Sequence, residues 1–381
     1  MIEVGIALFI SFLLTVYATP VIIRISKLKK LYDVPNDRKI HKEPIPSLGG
    51  LAMFIGIIIS LFFTINLAAY SEFQYYIVAF VILFFIGLKD DILALSPLKK
   101  LLGQMVATII IVYKCHLLIH NLQGLFGIYE LPVAVAHVFT FLVFLFIINA
   151  FNLIDGVDGL AGSLVLLTST ILGAYFYIND YTAYAVLAAA VSGAVAGFLF
   201  FNIQPAKIFM GDTGSLLLGL CVAIMIIKFI EVAQLSTTAY PVASSPIVAL
   251  GVIIVPVIDT LRLFVVRFFK RKSPFAPDKN HLHHILLKKG LSHSLVTLTC
   301  VFISIIFIII SFLGQHLEPN VLFLGLAVLS LGGIFIIQSA RSVYQPAIRV
   351  VQGKKNTATD GNDEVINKDD ASNAEIQKIA T

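Results

Sequence analysis

Residues 132–162 read PVAVAHVFTFLVFLFIINAFNLIDGVDGLAG. Positions 132–151 are almost wholly apolar, and a helix of about twenty residues is what a bilayer core requires. The far end of the stretch turns abruptly polar, with Asn149, Asn152, Asp155 and Asp158 recurring at every third residue. On a continuing helical turn that spacing stacks the four on one face, and Gly156 and Gly159 would let a ligand approach the backbone. Ionisable groups beside hydrocarbon are costly unless paired, hydrated or metal-bound, so the stripe points to a site rather than to packing. Capping of a following helix by Asp158 accounts for only one of the four.

The same pattern repeats along the chain. The sequence is 58% hydrophobic and 13% charged, with a mean hydropathy of +0.94, which excludes an ordinary soluble domain. About eleven apolar segments follow one another, near residues 3–23, 48–68, 75–91, 101–119, 132–151, 160–178, 183–201, 214–232, 243–268, 294–314 and 321–339. With no strand-like alternation, the expected fold is all-α, a polytopic integral membrane helical bundle of about eleven transmembrane helices spanning residues 1–340. The first segment lacks a basic flank and a small-residue cleavage site, and is expected to be retained. Residues 341–381 form a polar tail whose composition from about Lys354 onward cannot bury a core, and it is expected to be disordered.

Basic residues alternate between the connections. Arg24 to Lys42, Lys99-Lys100, Lys207, Arg267 to Lys289 and the tail from Arg341 all fall on one side, which predicts an outside N-terminus and a cytoplasmic C-terminus. The net charge of +5 sits in short loops against the membrane, where anionic lipid is partner enough, so nucleic-acid binding is not expected. Cys115, Cys221 and Cys300 are isolated in apolar segments and read as packed thiols.

Four further polar blocks lie at the cytoplasmic ends. The first connection closes with Ile45-Pro-Ser-Leu-Gly-Gly50, where Lys42 and the backbone N–H groups of Ser47 to Gly50 could bind a phosphate. The third segment ends in Asp90-Asp91, followed by Lys99-Lys100. Adjacent helical residues diverge by roughly 100°, so one carboxylate would ligate a metal or take a proton while the other orients it. Phe209-Met-Gly-Asp212-Thr-Gly-Ser215 opens the eighth segment, with Phe209 a packed aromatic or a platform for a base and Asp212 an N-cap or a ligand. Asp212-Thr-Gly resembles the aspartic-protease triplet, but the other Asp-Thr, Asp259-Thr260, is followed by Leu. Last, His281, His283 and His284 follow Arg267. Without thiolates or a metalloprotease spacing they suit phosphate oxygens better than zinc. A transporter of anionic sugar or lipid phosphates would set such groups near mid-membrane on broken helices, whereas here they cluster at one face.

In this order, the five blocks resemble the polyprenyl-phosphate N-acetylhexosamine-1-phosphate transferase family, over about residues 1–340. Ser273 to His284 is similar to the branch that initiates O-antigen, common-antigen or teichoic-acid synthesis, more than to the phospho-MurNAc-pentapeptide transferases. Leu95 stands where a third Asp of a DDxxD motif would be. The resemblance implies a bacterial cytoplasmic (inner) membrane enzyme with its active site facing the cytoplasm. It would join UDP-N-acetylhexosamine, GlcNAc above all, to undecaprenyl phosphate with release of UMP, using Mg2+, for which Mn2+ substitutes; a homodimer is a possible assembly. It further implies Asp91 and Asp212 as metal ligands and Asp90 as the group that deprotonates or orients the lipid phosphate. Lys42, Asn152, Asp158 and Phe209 would hold the uridine. Arg267, His281, His283 and His284 would hold the phosphates and sugar, with Ser47, Lys99, Lys100, Asn149 and Asp155 completing the substrate-binding set.

Overall fold

A computed structural model describes residues 2–31, 45–235, 237–269 and 281–339. Lys42 and the tail from residue 340 lie outside the described residues. The chain is helical almost throughout: α1 (Ile2–Leu28), α2 (Gly49–Thr64), α3 (Glu72–Leu93), α4 (Pro97–Lys114), α5 (Val133–Ile154), α6 (Leu160–Ile178), α7 (Thr182–Asn202), α8 (Gly211–Ala233), α9 (Ser245–Val252), α10 (Ile254–Phe269), α11 (Leu282–Lys288), α12 (His293–Leu313) and α13 (Pro319–Ser339). The expectation of an all-α chain needs one correction, a small antiparallel hairpin of β1 (Asn121–Leu125) and β2 (Ile128–Glu130). It turns through Gly124 and Gly127, both at positive φ, the turn chemistry of a short hairpin.

Each of the eleven apolar segments contains a helix, but they are not equivalent. Among the described residues seven helices are long and apolar enough to cross a membrane, or eight when α9 and α10 count as one broken span. These two replace the single helix expected over 243–268; they meet at Ile253 with a bend of 86°. The apolar helix α2 has 16 residues, and α3 and α4 carry the charges of the polar blocks. The molecule is a polytopic helical membrane protein.

Burial ranks the helices. Over their most apolar windows α8 is 89% and α7 83% buried inside the protein, against 28% for α1 and 22% for α13, so α7 and α8 are interior and the others face lipid. In lipid there is little hydrophobic force between helices, and association relies on small residues and hydroxyls. Hence Ser60 Oγ on α2 donates to the Ala7 carbonyl of α1 (2.8 Å), and Ser11 Oγ of α1 donates to the Ala190 carbonyl of α7 (2.6 Å). Central α8 packs on α5, α3, α2 and α6. Its N-terminal end therefore meets the C-terminal ends of α3 and α5 and the start of α2, which gathers blocks far apart in sequence.

Candidate active site

The site is built around the first turn of α8. The segment before it runs alongside residues 46–50: Phe209 N–H donates to the Pro46 carbonyl (2.7 Å), while Gly49 and Gly50 N–H donate to the carbonyls of Phe209 and Met210 (both 2.9 Å). The phosphate cradle expected at Ser47 to Gly50 is thereby corrected for two of its amides, which are spent on the protein's own backbone. Gly211 makes the junction possible. It sits at φ +69, and a Cβ there would stand 2.0 Å from the Ser47 carbonyl oxygen and 2.6 Å from Asp91 Oδ2.

The adjacent carboxylates of α3 diverge, as their helical positions require. Asp91 faces α8: its Oδ1 accepts from Asp212 N–H (2.7 Å), and its Oδ2 accepts from Thr213 N–H (3.0 Å) and Thr213 Oγ1 (2.5 Å). Asp90 faces the other way, accepting from Leu95 N–H and standing 3.5 Å from Lys100 Nζ. Two anions at a helix C-terminus are disfavoured by the dipole of α3, and the opposing N-terminal end of α8 offsets this.

Lys100 is the hub. Its ammonium donates to Asp212 Oδ2 and to Asn152 Oδ1 (3.2 Å), while Asn152 Nδ2 donates to Asp212 Oδ1 (2.6 Å) and to Ser215 Oγ (2.8 Å). Asn149, one turn earlier on α5, donates to Gln104 Oε1 (2.7 Å). Asp90, Lys100, Gln104, Asn149, Asn152 and Arg267 line one cavity of ≈ 190 Å³, closed on its apolar side by Leu101 and Phe264. Gln104 is a site residue missed by motif, and its one signal is a polar side chain in an apolar run four positions after Lys100.

The stripe of four on α5 does not persist as one face. The helix ends at Ile154 and the chain turns, with Gly159 at φ +75 opening α6. Asp155 stays near the acidic group, and its carboxyl is pushed up to about 8, first by burial and then by Asp212, Asp91 and Asp158. Asp158 is buried elsewhere, 3.4 Å from His293 Nδ1 at the start of α12. Lys99 points outward and is exposed, and Phe209 is half-buried.

The histidine block is organised by a residue that the sequence reading did not assign to the site. Asp259, buried on α10, accepts from His281 Nδ1 (2.9 Å) and from Leu282 N–H (2.7 Å), with Arg262 at 3.6 Å. This fixes His281 with Nδ1 protonated and Nε2 turned away from Asp259. His283 is buried, and a Cβ on Gly156 would come within 2.5 Å of its Nε2, so it packs against the 155–159 turn. Burial, followed by neighbouring His284, pushes the His283 imidazole down to about 3, leaving it neutral. His284 is half-buried.

The chain is similar in sequence to known proteins over most of its length. Residues 73–230, which hold α3 to α8 and most of the site, match the model of glycosyl transferase family 4. A Bacillus subtilis (strain 168) protein described as a probable undecaprenyl-phosphate N-acetylglucosaminyl 1-phosphate transferase is 34% identical over 311 residues, 81% of this chain and 84% of its own. The decaprenyl-phosphate N-acetylglucosaminephosphotransferase of Mycobacterium tuberculosis (strain CDC 1551 / Oshkosh) is 34% identical over 69% of this chain and 70% of its own. The undecaprenyl-phosphate alpha-N-acetylglucosaminyl 1-phosphate transferase of Escherichia coli (strain K12) is 30% identical over 70% and 72%. With five polar blocks converging on one end of a helical bundle and relatives matched over most of their length, the chain belongs to the polyprenyl-phosphate N-acetylhexosamine-1-phosphate transferases of glycosyl transferase family 4.

Proposed function

We propose that this protein transfers GlcNAc-1-phosphate from UDP-GlcNAc to undecaprenyl phosphate, giving undecaprenyl-diphosphate-GlcNAc and UMP. An oxygen of the lipid monophosphate attacks the sugar-linked phosphorus, the bond from that phosphorus to the bridging oxygen breaks, and UMP leaves with the bridging oxygen. Both reactants are anionic, so the work of catalysis is positioning and charge neutralisation.

The observation that carries this reading is the Lys100 ammonium held by Asp212, Asn152 Oδ1 and Asp90 beside a cavity that also presents Arg267. A cation ringed by two carboxylates and an amide oxygen is a hard-oxygen donor set that suits Mg2+, which needs only one or two carboxylates and keeps its waters. Asp212 and Asp90 would hold the metal, and Lys100, released, would meet a phosphate. Mg2+ would supply charge neutralisation at the transferred phosphoryl group. Arg267 and the His281 and His284 imidazoles are suited to the remaining phosphate oxygens, and Asn149 and Asn152 to the nucleoside or sugar. Positive charge on the connections supports an outside N-terminus with the site facing the cytoplasm of a bacterial cell.

The direct test mixes the purified protein with UDP-GlcNAc, undecaprenyl phosphate and Mg2+ and follows UMP. UMP that appears only with lipid and metal is expected. No UMP from any UDP-amino sugar in a folded sample would overturn the reading.

A further inference from the structure

We infer that the two neighbouring aspartates of α3 divide their labour, and that Asp91 is not a metal ligand but a positioning residue, the N-terminal cap of α8 supplied from another helix. The first turn of any helix leaves backbone N–H groups without intrahelical partners. At α8 the flanking residue is Met210, which has no side chain able to accept them. Asp91 does so from 121 positions away, taking the N–H groups of Asp212 and Thr213 and the Thr213 hydroxyl on its two oxygens. The approach is built into the backbone: a Cβ on Gly87, one turn before Asp91, would lie 2.5 Å from Thr213 Cα, and one on Gly211 would strike Asp91 itself.

Both Asp91 oxygens thus point at α8, away from the Lys100 ammonium that Asp90 and Asp212 share. Asp212 is the residue whose backbone Asp91 holds and whose side chain reaches Lys100 and Asn152. Asp91 therefore fixes the direction of the Asp212 carboxylate, and its part in turnover, which rests on the transfer reaction proposed above, is exerted through Asp212. Capping itself is independent of that reaction.

The experiment compares Asp91→Asn, Thr213→Val and the double variant with the wild type, measuring melting temperature in EDTA, the Mg2+ concentration for half-maximal thermal shift, and turnover. Each single variant is expected to melt several degrees lower without metal, Asp91→Asn more than Thr213→Val. The double variant should lose less than the sum of the two single losses, because the contact of the Thr213 hydroxyl with Asp91 is common to both changes. The Mg2+ half-saturation should shift less in Asp91→Asn, which loses a residue that orients a ligand, than in Asp212→Asn, which loses the ligand itself. Turnover by Thr213→Val should fall in kcat with KM unchanged, although its carboxylates are intact. If Asp91→Asn melts no lower in EDTA, or the effects of the two single variants add, or its Mg2+ half-saturation shifts as far as that of Asp212→Asn, the capping role is wrong. The EDTA measurements stand even if the wild type shows no transfer, so failure of the capping role and failure of the proposed reaction are told apart.

Discussion

The two ends of α8 are both polar, and they are polar in different ways. At the C-terminal end groups pair off: Lys228 Nζ donates to Glu231 Oε1 (3.2 Å) within α8, and beyond it Gln234 Nε2 donates to the Asn121 carbonyl (3.1 Å), Ser245 N–H donates to Gln123 Oε1, and Asn320 Oδ1 accepts from Phe126 N–H (2.7 Å). The contacts beyond Glu231 tie the β-hairpin to α8, α9 and α13, and each donor has its acceptor. At the N-terminal end Asp90 and Asp212 share one ammonium, Lys100, with Asp91 behind them on the backbone of α8, and the Asp155 carboxyl is raised by burial first and by these neighbouring carboxylates next. Polar density at a membrane helix end is therefore no mark of function, since unmade hydrogen bonds there cost several kcal/mol and have to be satisfied in any case. Like charges gathered at one point are different: they lower stability and are maintained for what they bind.

That contrast breaks first at Asp212. Asp212→Asn keeps the shape of the side chain and removes one charge, and turnover is expected to fall on the order of 10²-fold or more while the protein stays folded in the membrane. Near wild-type turnover would show that the acidic end is as structural as the hairpin end. Lys100→Met sharpens the comparison because it separates two roles. Losing the cation that faces both carboxylates and the cavity should lower turnover roughly 10–100-fold. Mg2+ should nonetheless bind the substrate-free variant more tightly, because the ammonium and the metal compete for Asp90 and Asp212. Weaker Mg2+ binding by Lys100→Met would place the metal elsewhere.

The same division explains what could be read in the sequence. Apolar segment length predicted the helices, because a bilayer leaves a backbone no other way to satisfy itself. The break at Ile253 is marked by Gly251 and Pro256 on either side of it, since a proline at 256 has no N–H for the Val252 carbonyl and suits the first turn of a new helix, but an apolar count over 243–268 passes over both. Asp90, Lys100, Asn152 and Asp212 were legible as charged or amide groups at helix ends. Their partners were not: Asp91 answers Thr213, and Asp259 answers His281, across separations that depend on how the helices pack. Asp158 followed the three-residue spacing yet left the face, because Gly156 and Gly159 end the helical turn on which the spacing rests.

At the hairpin end the expected effect is smaller and of another kind. Gln234→Ala removes two donated hydrogen bonds, to Asn121 and Ser245, at a cost of about 1 kcal/mol each. Melting temperature should drop while kcat and KM hold, and a loss of turnover larger than the loss of folded protein would tie the hairpin to the reaction.

Asp155 gives the most specific effect, one that shows only as a dependence of stability on pH. Its ordinary value of 3.8 is raised to about 8 in the metal-free fold, by burial first and by neighbouring carboxylates next. Below about pH 4 folded and unfolded chains both carry the proton, and the group costs nothing. Between about pH 4 and 8 the unfolded chain releases the proton and the folded one retains it, so the wild type loses stability as pH rises, and above about 8 the full loss is reached. Asp155→Asn cannot ionise and escapes this loss. Measured in EDTA, the melting temperature of the variant minus that of the wild type should widen from pH 5 to 8 and then level off. Mg2+ should shrink the gap, since a cation among the carboxylates favours the ionised form that burial opposes. A gap that is flat with pH in EDTA would mean that Asp155 ionises freely, and the crowding that distinguishes the two ends of α8 would then be confined to Asp90, Asp91 and Asp212.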